Sequence, residues 1–197
     1  MSWFFDLLTA AVYSLLIQNI IFNSGLALSE TVRMAKRPKF FFMYGCSILY
    51  FSLTTSVICS LLELIPAIHA LNTALHVLVF AFVLAFVTVL TSVLAIVILK
   101  ANKKFMNSLG MCAVNSLVLA IPIINSRSAL SLSASIGNSI GAALAFILAL
   151  LLINSAMRRI AKNEDMPQSF KGMPGIFIYM ALLALALSCL SGQESFI

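Results

Sequence analysis

The chain has 197 residues, of which 62% are hydrophobic and 9% are charged, and its formal net charge is +6. A globular domain has roughly 25% charged residues, and a small domain leaves too much of its surface in water to hide this much apolar surface in one core. The composition therefore excludes an ordinary soluble enzyme and predicts a membrane protein. The basic residues lie between apolar runs, which is typical of topology signals at a membrane surface rather than of nucleic-acid binding.

Six apolar segments approach the roughly 20 residues that a helix needs to cross the hydrocarbon of a membrane. They are Trp3 to about Leu28, Phe40–Leu62, Leu75–Leu99, Phe105–Ile124, Ser133–Ile153 and Gly175–Leu190. The fourth segment is the least apolar, and the sixth is short. No basic residue precedes Arg33, so the first segment does not resemble a cleavable signal peptide, and we expect it to stay in the mature protein. The prediction is an all-α polytopic protein whose residues 1–197 form a single membrane domain.

The distribution of positive charge supports six spans. With six spans, only Arg127 lies on one side, and the other eleven basic residues share the opposite side. These eleven are Arg33, Lys36, Arg37, Lys39, Lys100, Lys103, Lys104, Arg158, Arg159, Lys162 and Lys171. Because cytoplasmic loops carry the excess of Lys and Arg, this topology predicts that both termini lie outside.

Short motifs recur in the same order along the two halves of the chain. Asn23–Ala27 resembles Asn107–Cys112, and Gly45–Ile48 resembles Gly137–Ile140. Three spans in each half would make the second half inverted relative to the first, as in many membrane transporters. We therefore predict two inverted three-helix repeats, over about residues 3–100 and 105–192.

The first repeated motif combines Asn, Ser and Gly inside apolar helices. Glycine weakens a helix, and in lipid each freed backbone group must find another partner. The motif therefore predicts a broken helix in each half. The alternative is that Gly25 and Gly110 only allow close helix packing.

The cysteines show no complete metal site. Cys112 ends the repeated motif in the second half, and Ala27 is its equivalent in the first. A lone buried cysteine is usually a small hydrophobic residue, and the sequence has no C-x-x-C pair or His/Cys cluster. A disulfide could join Cys59 to Cys189, near the outer ends of their helices, but sequence alone does not establish such a pairing.

Small residues recur every fourth position at the start of the fifth span. They are Ser133, Gly137, Gly141 and Ala145. This spacing lets two helices approach closely. The partner of this small-residue stripe is either the second helix of this chain or another subunit.

Three motifs resemble a known family, the membrane subunits of the Rnf and Na⁺-translocating NADH:quinone reductase complexes (RnfA/RnfE/NqrD/NqrE type). Met166–Pro174 is similar to the family's V-P-x-x-F-R-G-x-P loop before the last helix, with Arg158 upstream. Gly110–Val114 resembles the T-N-C-A-V segment. Gln18–Asn19, followed by Ser24–Leu26, resembles N-N followed by L-G-L-C. The likeness covers nearly the whole chain and is greatest to the RnfA members.

The resemblance implies an RnfA-like integral membrane subunit of an ion-translocating electron-transport complex linked to ferredoxin and NADH. It would lie in the inner (plasma) membrane of a prokaryote, with a homologous RnfE-like subunit of opposite orientation and other Rnf-type subunits as partners. Two cysteines from each of the paired subunits would hold a two-iron two-sulfur cluster. No catalytic residue is expected in this chain, which has no Gly-rich dinucleotide loop and would not be catalytic alone.

This sequence departs from the family pattern at the first cluster cysteine. That position falls on Ala27, which cannot bind iron, so Cys112 is the one candidate cofactor-binding residue and metal ligand. Two alternatives to an electron-carrying subunit follow. One is a divergent scaffold subunit without a cluster, and the other is a small solute transporter that uses the broken helices.

Overall fold

The chain forms helices wherever the sequence has a long apolar run. The computed structural model describes residues 2–69, 71–98 and 100–191, and the regular elements of these ranges are all helical. They are α1 (Ser2–Val12), continued by one π-helical turn (Tyr13–Ile17), α2 (Ile20–Asn23), α3 (Leu28–Ala35), α4 (Phe41–Leu62), α5 (Pro66–His69), α6 (Thr73–Val97), α7 (Lys103–Ala113), α8 (Ser116–Arg127), α9 (Leu132–Lys162) and α10 (Met173–Ser191). Short 3₁₀ turns, Pro38–Phe40 and Gln168–Phe170, precede α4 and α10.

The apolar helices confirm the prediction of an all-α polytopic membrane protein. Within the described ranges, four segments are long and apolar enough to span a membrane, namely Pro38–Leu62, Ala74–Val97, Phe105–Arg127 and Leu132–Lys162. Trp3–Ile17 and Met173–Cys189 are shorter apolar helices. The least apolar predicted segment, the fourth, is among the four long ones. The first segment differs from the prediction, because the helix that begins near Trp3 does not run unbroken to Leu28.

The long helix α9 lies at the centre of the packing. A Cβ atom on Gly137 would collide with the carbonyl oxygen of Leu7, and one on Gly141 with the carbonyl oxygen of Ala11. These two glycines therefore pack directly on the backbone of α1, because only a residue without a side chain allows so close an approach. The expectation for this stripe named the second helix or another subunit, and for its glycines that expectation was wrong.

Helices α4 and α9 supply much of the buried core, whereas α6 lies at its edge. The largest fully buried side chains include Tyr44 and Phe51 of α4 and Phe146 of α9. By contrast, Phe82 and Phe86 on α6 are more than half exposed. Such an apolar outer face is stable in lipid, where it carries no penalty for contact with water.

Candidate functional site

Two helices of this bundle are interrupted, and an asparagine restarts each of them. The side-chain oxygen of Asn115 accepts the backbone N–H of Leu117 at 3.0 Å, at the start of α8. At the start of α2, the side-chain oxygen of Asn19 accepts from Ile21 at 3.2 Å and Phe22 at 3.4 Å. Asparagine is among the preferred N-cap residues because its side chain satisfies backbone donors that have no helical partner.

The broken-helix prediction is confirmed, although the breaks do not fall at the glycine of each motif. In the second half the helix continues through Gly110 and Cys112 and ends at Ala113. A Cβ on Gly110 would meet nothing within 4 Å, so this glycine does not allow a close helix contact within the chain either. The alternative that Gly110 serves close packing within the chain is therefore wrong.

The first half contains a second break, between α2 and α3. Gly25 has φ +66° and Ala27 has φ +58°, so both adopt the left-handed conformation. This conformation costs a residue with a side chain about 1–2 kcal/mol. The carbonyl oxygen of Ala27 accepts the hydroxyl of Thr31 at 2.6 Å, which ties the strained residue to the first turn of α3.

The breaks of the two halves meet near the middle of the bundle. The backbone N–H of Ala27 donates to the hydroxyl oxygen of Ser116 over 2.8 Å. Helix α7 has 11 residues and α8 has 12, so at 1.5 Å per residue the break between them lies about 16 Å from one end and about 18 Å from the other. The contact between Ala27 and Ser116 therefore lies at the depth of the membrane interior.

Cys112 is buried beside this junction. Its side chain is 0% exposed, it shares one core cluster with Ala27, and the side chain of Ser47 on α4 hydrogen-bonds to it. Cys46, the residue before Ser47 on α4, is exposed and lines an apolar groove with Phe42 and Tyr50. The two equivalent motif positions thus come together as one thiol and one methyl group.

The residues at this junction do not fit a complete iron–sulfur site. The described ranges contain no group of three or more His, Cys, Asp or Glu residues that could hold a metal ion. The buried side-chain nitrogen of Asn115 has no hydrogen-bond partner. That nitrogen suits a sulfur acceptor, but an amide nitrogen is not an iron ligand. Cys112 is therefore one donor of the four that such a cluster requires.

The junction also reaches the surface of the bundle. Val114 is 79% exposed, and Ser24, Gly25 and Ser116 are exposed as well. Non-helical backbone at membrane depth is tolerated only where protein covers it or where it lines a water-filled cavity. This exposed junction surface, formed by Ser24–Gly25 and Val114–Ser116, therefore requires a cover other than lipid.

The remaining candidates from the sequence do not form a site. The four cysteines are free, with Cys59 buried and Cys189 exposed, so the disulfide considered between them is not formed. The Nε2 atom of His76 lies 2.7 Å from the carbonyl oxygen of Ile68, and its ring stacks on Phe80.

Sequence reasoning missed the role of Asn115 and Ser116, which stand out in the sequence only as polar residues that weaken a span. An asparagine that follows an apolar helical run and precedes another such run is an N-cap signal, and it locates this break. The pairing of Ser116 with Ala27 has no comparable signal, because it joins residues 89 positions apart.

These features define a polytopic α-helical membrane protein whose broken helices meet at mid-depth. Residues 7–193 match the family model described as Rnf-Nqr subunit, membrane protein, so the chain belongs to this family and the resemblance is confirmed. A segment of 85 residues is 36% identical to one of the subunits of the proton-translocating ferredoxin:NAD(+) oxidoreductase complex of Clostridium ljungdahlii, the one designated by the letter A. The matched segment is 43% of this chain and 44% of that relative.

Proposed function

We propose that this chain is an RnfA-like integral membrane subunit of an ion-translocating electron-transport complex linked to ferredoxin and NADH. Membership of the Rnf-Nqr family and the likeness to the clostridial relative support this role. The distribution of basic residues supports two inverted halves, over about residues 3–100 and 105–192, in the inner membrane of a prokaryote with both termini outside. The chain acts with other Rnf-type subunits and is not catalytic alone.

The exposed junction surface carries the proposal of a partner. Its unwound backbone lies at membrane depth, where lipid cannot satisfy N–H and C=O groups. A homologous RnfE-like subunit of opposite orientation presents a related break at the same depth, so the two breaks can cover each other. This argument favours a heteromer over a lone monomer.

Substitution of Val114 by Trp tests the assembly. The larger side chain at this exposed position should separate the partner, so that the tagged variant purified in mild detergent loses the subunits that accompany the wild-type chain. Phe86→Trp is the matched control, since Phe86 is 67% exposed on α6, far along the chain from either break. Normal assembly of Val114→Trp would place the interface elsewhere.

Deletion of the gene tests the activity. Membranes without the chain should lose electron transfer from reduced ferredoxin to NAD⁺, and the wild-type chain should restore it. Unchanged activity in the deletion strain would refute the proposed role.

The single thiol at the junction favours a second candidate, a scaffold subunit without a cluster. The discriminating assay measures iron, acid-labile sulfide and low-temperature paramagnetic resonance on the complex before and after Cys112→Ser, with Cys59→Ser as the control. Loss of a membrane cluster signal in Cys112→Ser alone would make Cys112 a ligand of a two-iron two-sulfur cluster shared with the partner. An unchanged signal would make it a packing residue, and absence of any membrane cluster would favour the scaffold.

A further inference from the structure

A deep polar groove runs beside the first helix, away from the junction that holds Cys112. It has a volume of about 720 Å³, and its polar lining comprises Asp6, Thr9, Gln18, Ser128, Ser131 and Asn138. Its mouth lies by the α8–α9 turn, opposite the basic loops, and its inner end reaches Gln18, at the first helix break. The groove therefore extends polar surface from one face of the bundle into its interior.

Asn138 connects this groove to a buried network of amides and hydroxyls. Its side-chain nitrogen donates to the side-chain oxygen of Asn125 at 2.6 Å. The side-chain nitrogen of Asn125 donates in turn to the hydroxyl of Ser56 at 2.6 Å and to the carbonyl oxygen of Ser135 at 3.4 Å. All four residues are buried, and together they join α4, α8 and α9.

Two buried hydroxyls in the same helical turns have no hydrogen-bond partner. They are Oγ1 of Thr55, next to Ser56, and Oγ of Ser135, whose carbonyl accepts from Asn125. A buried polar group without a partner costs about 1–3 kcal/mol. Hydroxyls on helices usually avoid this cost by bonding to the carbonyl four residues earlier, as Ser139 does here at 2.8 Å. The two open hydroxyls therefore indicate a ligand.

We propose that this Asn–Ser–Thr network binds a monovalent metal cation, tested here as Na⁺, which enters through the groove. Hard cations take oxygen ligands, and the network offers hydroxyl, amide and backbone carbonyl oxygens. A proton fits less well, because proton relays use Asp, Glu or His, and the buried polar residues of the described ranges include none of these. Asp6 at the groove mouth supplies negative charge that raises the local cation concentration. The assignment of the groove to the outer face rests on the proposed function and its topology, whereas the ligand set does not.

Thermal unfolding of the purified full-length chain tests this site. At constant ionic strength, replacing choline chloride by NaCl should raise the Tm in a saturable manner, since a ligand of the folded state stabilises it in proportion to the logarithm of its concentration. Thr55→Val removes one open hydroxyl and keeps the shape of the side chain, and it should weaken the apparent Na⁺ affinity at least about tenfold, as loss of a ligand worth about 1.4 kcal/mol would. Thr54→Val is the matched control, because the Thr54 hydroxyl bonds to the carbonyl oxygen of Tyr50 at 2.8 Å.

A purely structural network gives a different result. Removal of an unpartnered hydroxyl would then raise the Tm of Thr55→Val equally in both salts, and the wild-type chain would show no specific response to Na⁺. Either outcome overturns the proposal. If Thr55→Val does not fold, Ser135→Ala provides the same comparison at the second open hydroxyl. Because Na⁺ is measured on the chain itself, a failure here is distinguishable from loss of the proposed electron-transport role, which the gene deletion tests.

Discussion

The backbone N–H of Ala27 donates to Oγ of Ser116, and this 2.8 Å bond joins two helix breaks that are 89 residues apart in the sequence. Ala27 begins α3 and Ser116 begins α8, so the bond holds the starts of two helices together. The breaks are thus a single structural unit, and changes on either side of this bond should affect both halves of the chain.

Ser116→Ala should lower the free energy of unfolding by about 1 kcal/mol, because it leaves the Ala27 N–H without its acceptor. Ser29→Ala is the matched control, since the Ser29 hydroxyl bonds only to neighbouring Glu30 on the exposed side of α3. Thermal unfolding of both variants in detergent provides the measurement. Equal effects from the two substitutions would mean that the interhelical bond contributes little.

Ala27→Gly should remove the strain of the left-handed backbone at this position, which is worth about 1 kcal/mol. Gly25→Ala should have the opposite effect, because Gly25 has φ +66° and open space around it, so that only the backbone conformation opposes a methyl group. A rise in Tm for the first variant and a fall for the second are expected. The reverse order would contradict the backbone geometry of the break.

Gly141→Ala should destabilise the protein by several kcal/mol or prevent its accumulation, because the new methyl group collides with the backbone of α1. Gly110→Ala adds the same group where nothing lies within 4 Å, and alanine is the better helix former by about 1 kcal/mol. Fluorescence-detected size-exclusion chromatography after heating compares the two. Tolerance of Gly141→Ala would show that α1 can move away from α9.

The topology prediction is tested by single cysteines in a variant whose exposed Cys46 and Cys189 are replaced by Ser. Cysteines at Lys103 and Gln168 should react with an impermeant maleimide only from the cytoplasm, because eleven of the twelve basic residues lie on that side in the six-span arrangement. A cysteine at Ser128 should react only from outside. Labelling of Ser128 from the cytoplasm would exclude six spans.

Sequence patterns predicted the apolar helices because hydrocarbon thickness requires long apolar runs, a constraint that acts on composition alone. The same reasoning recognised that Gly137 and Gly141 provide a close-packing face, but it did not identify α1 as the partner. That choice depends on which backbone reaches the glycines in three dimensions. Likewise, the motif around Gly110 predicted a break, but capping by Asn115 moved it beyond Cys112.

The length of α9 has a consequence for how the protein sits in its membrane. Its 31 residues extend for about 46 Å, whereas the hydrocarbon layer is about 30 Å thick. Arg158, Arg159 and Lys162 are exposed near its end, and their charges oppose burial by a steep tilt. The hydrophobic mismatch is therefore relieved by projection, and the last turns of α9 form a rigid basic post in the headgroup layer, where an acidic soluble protein would meet the complex.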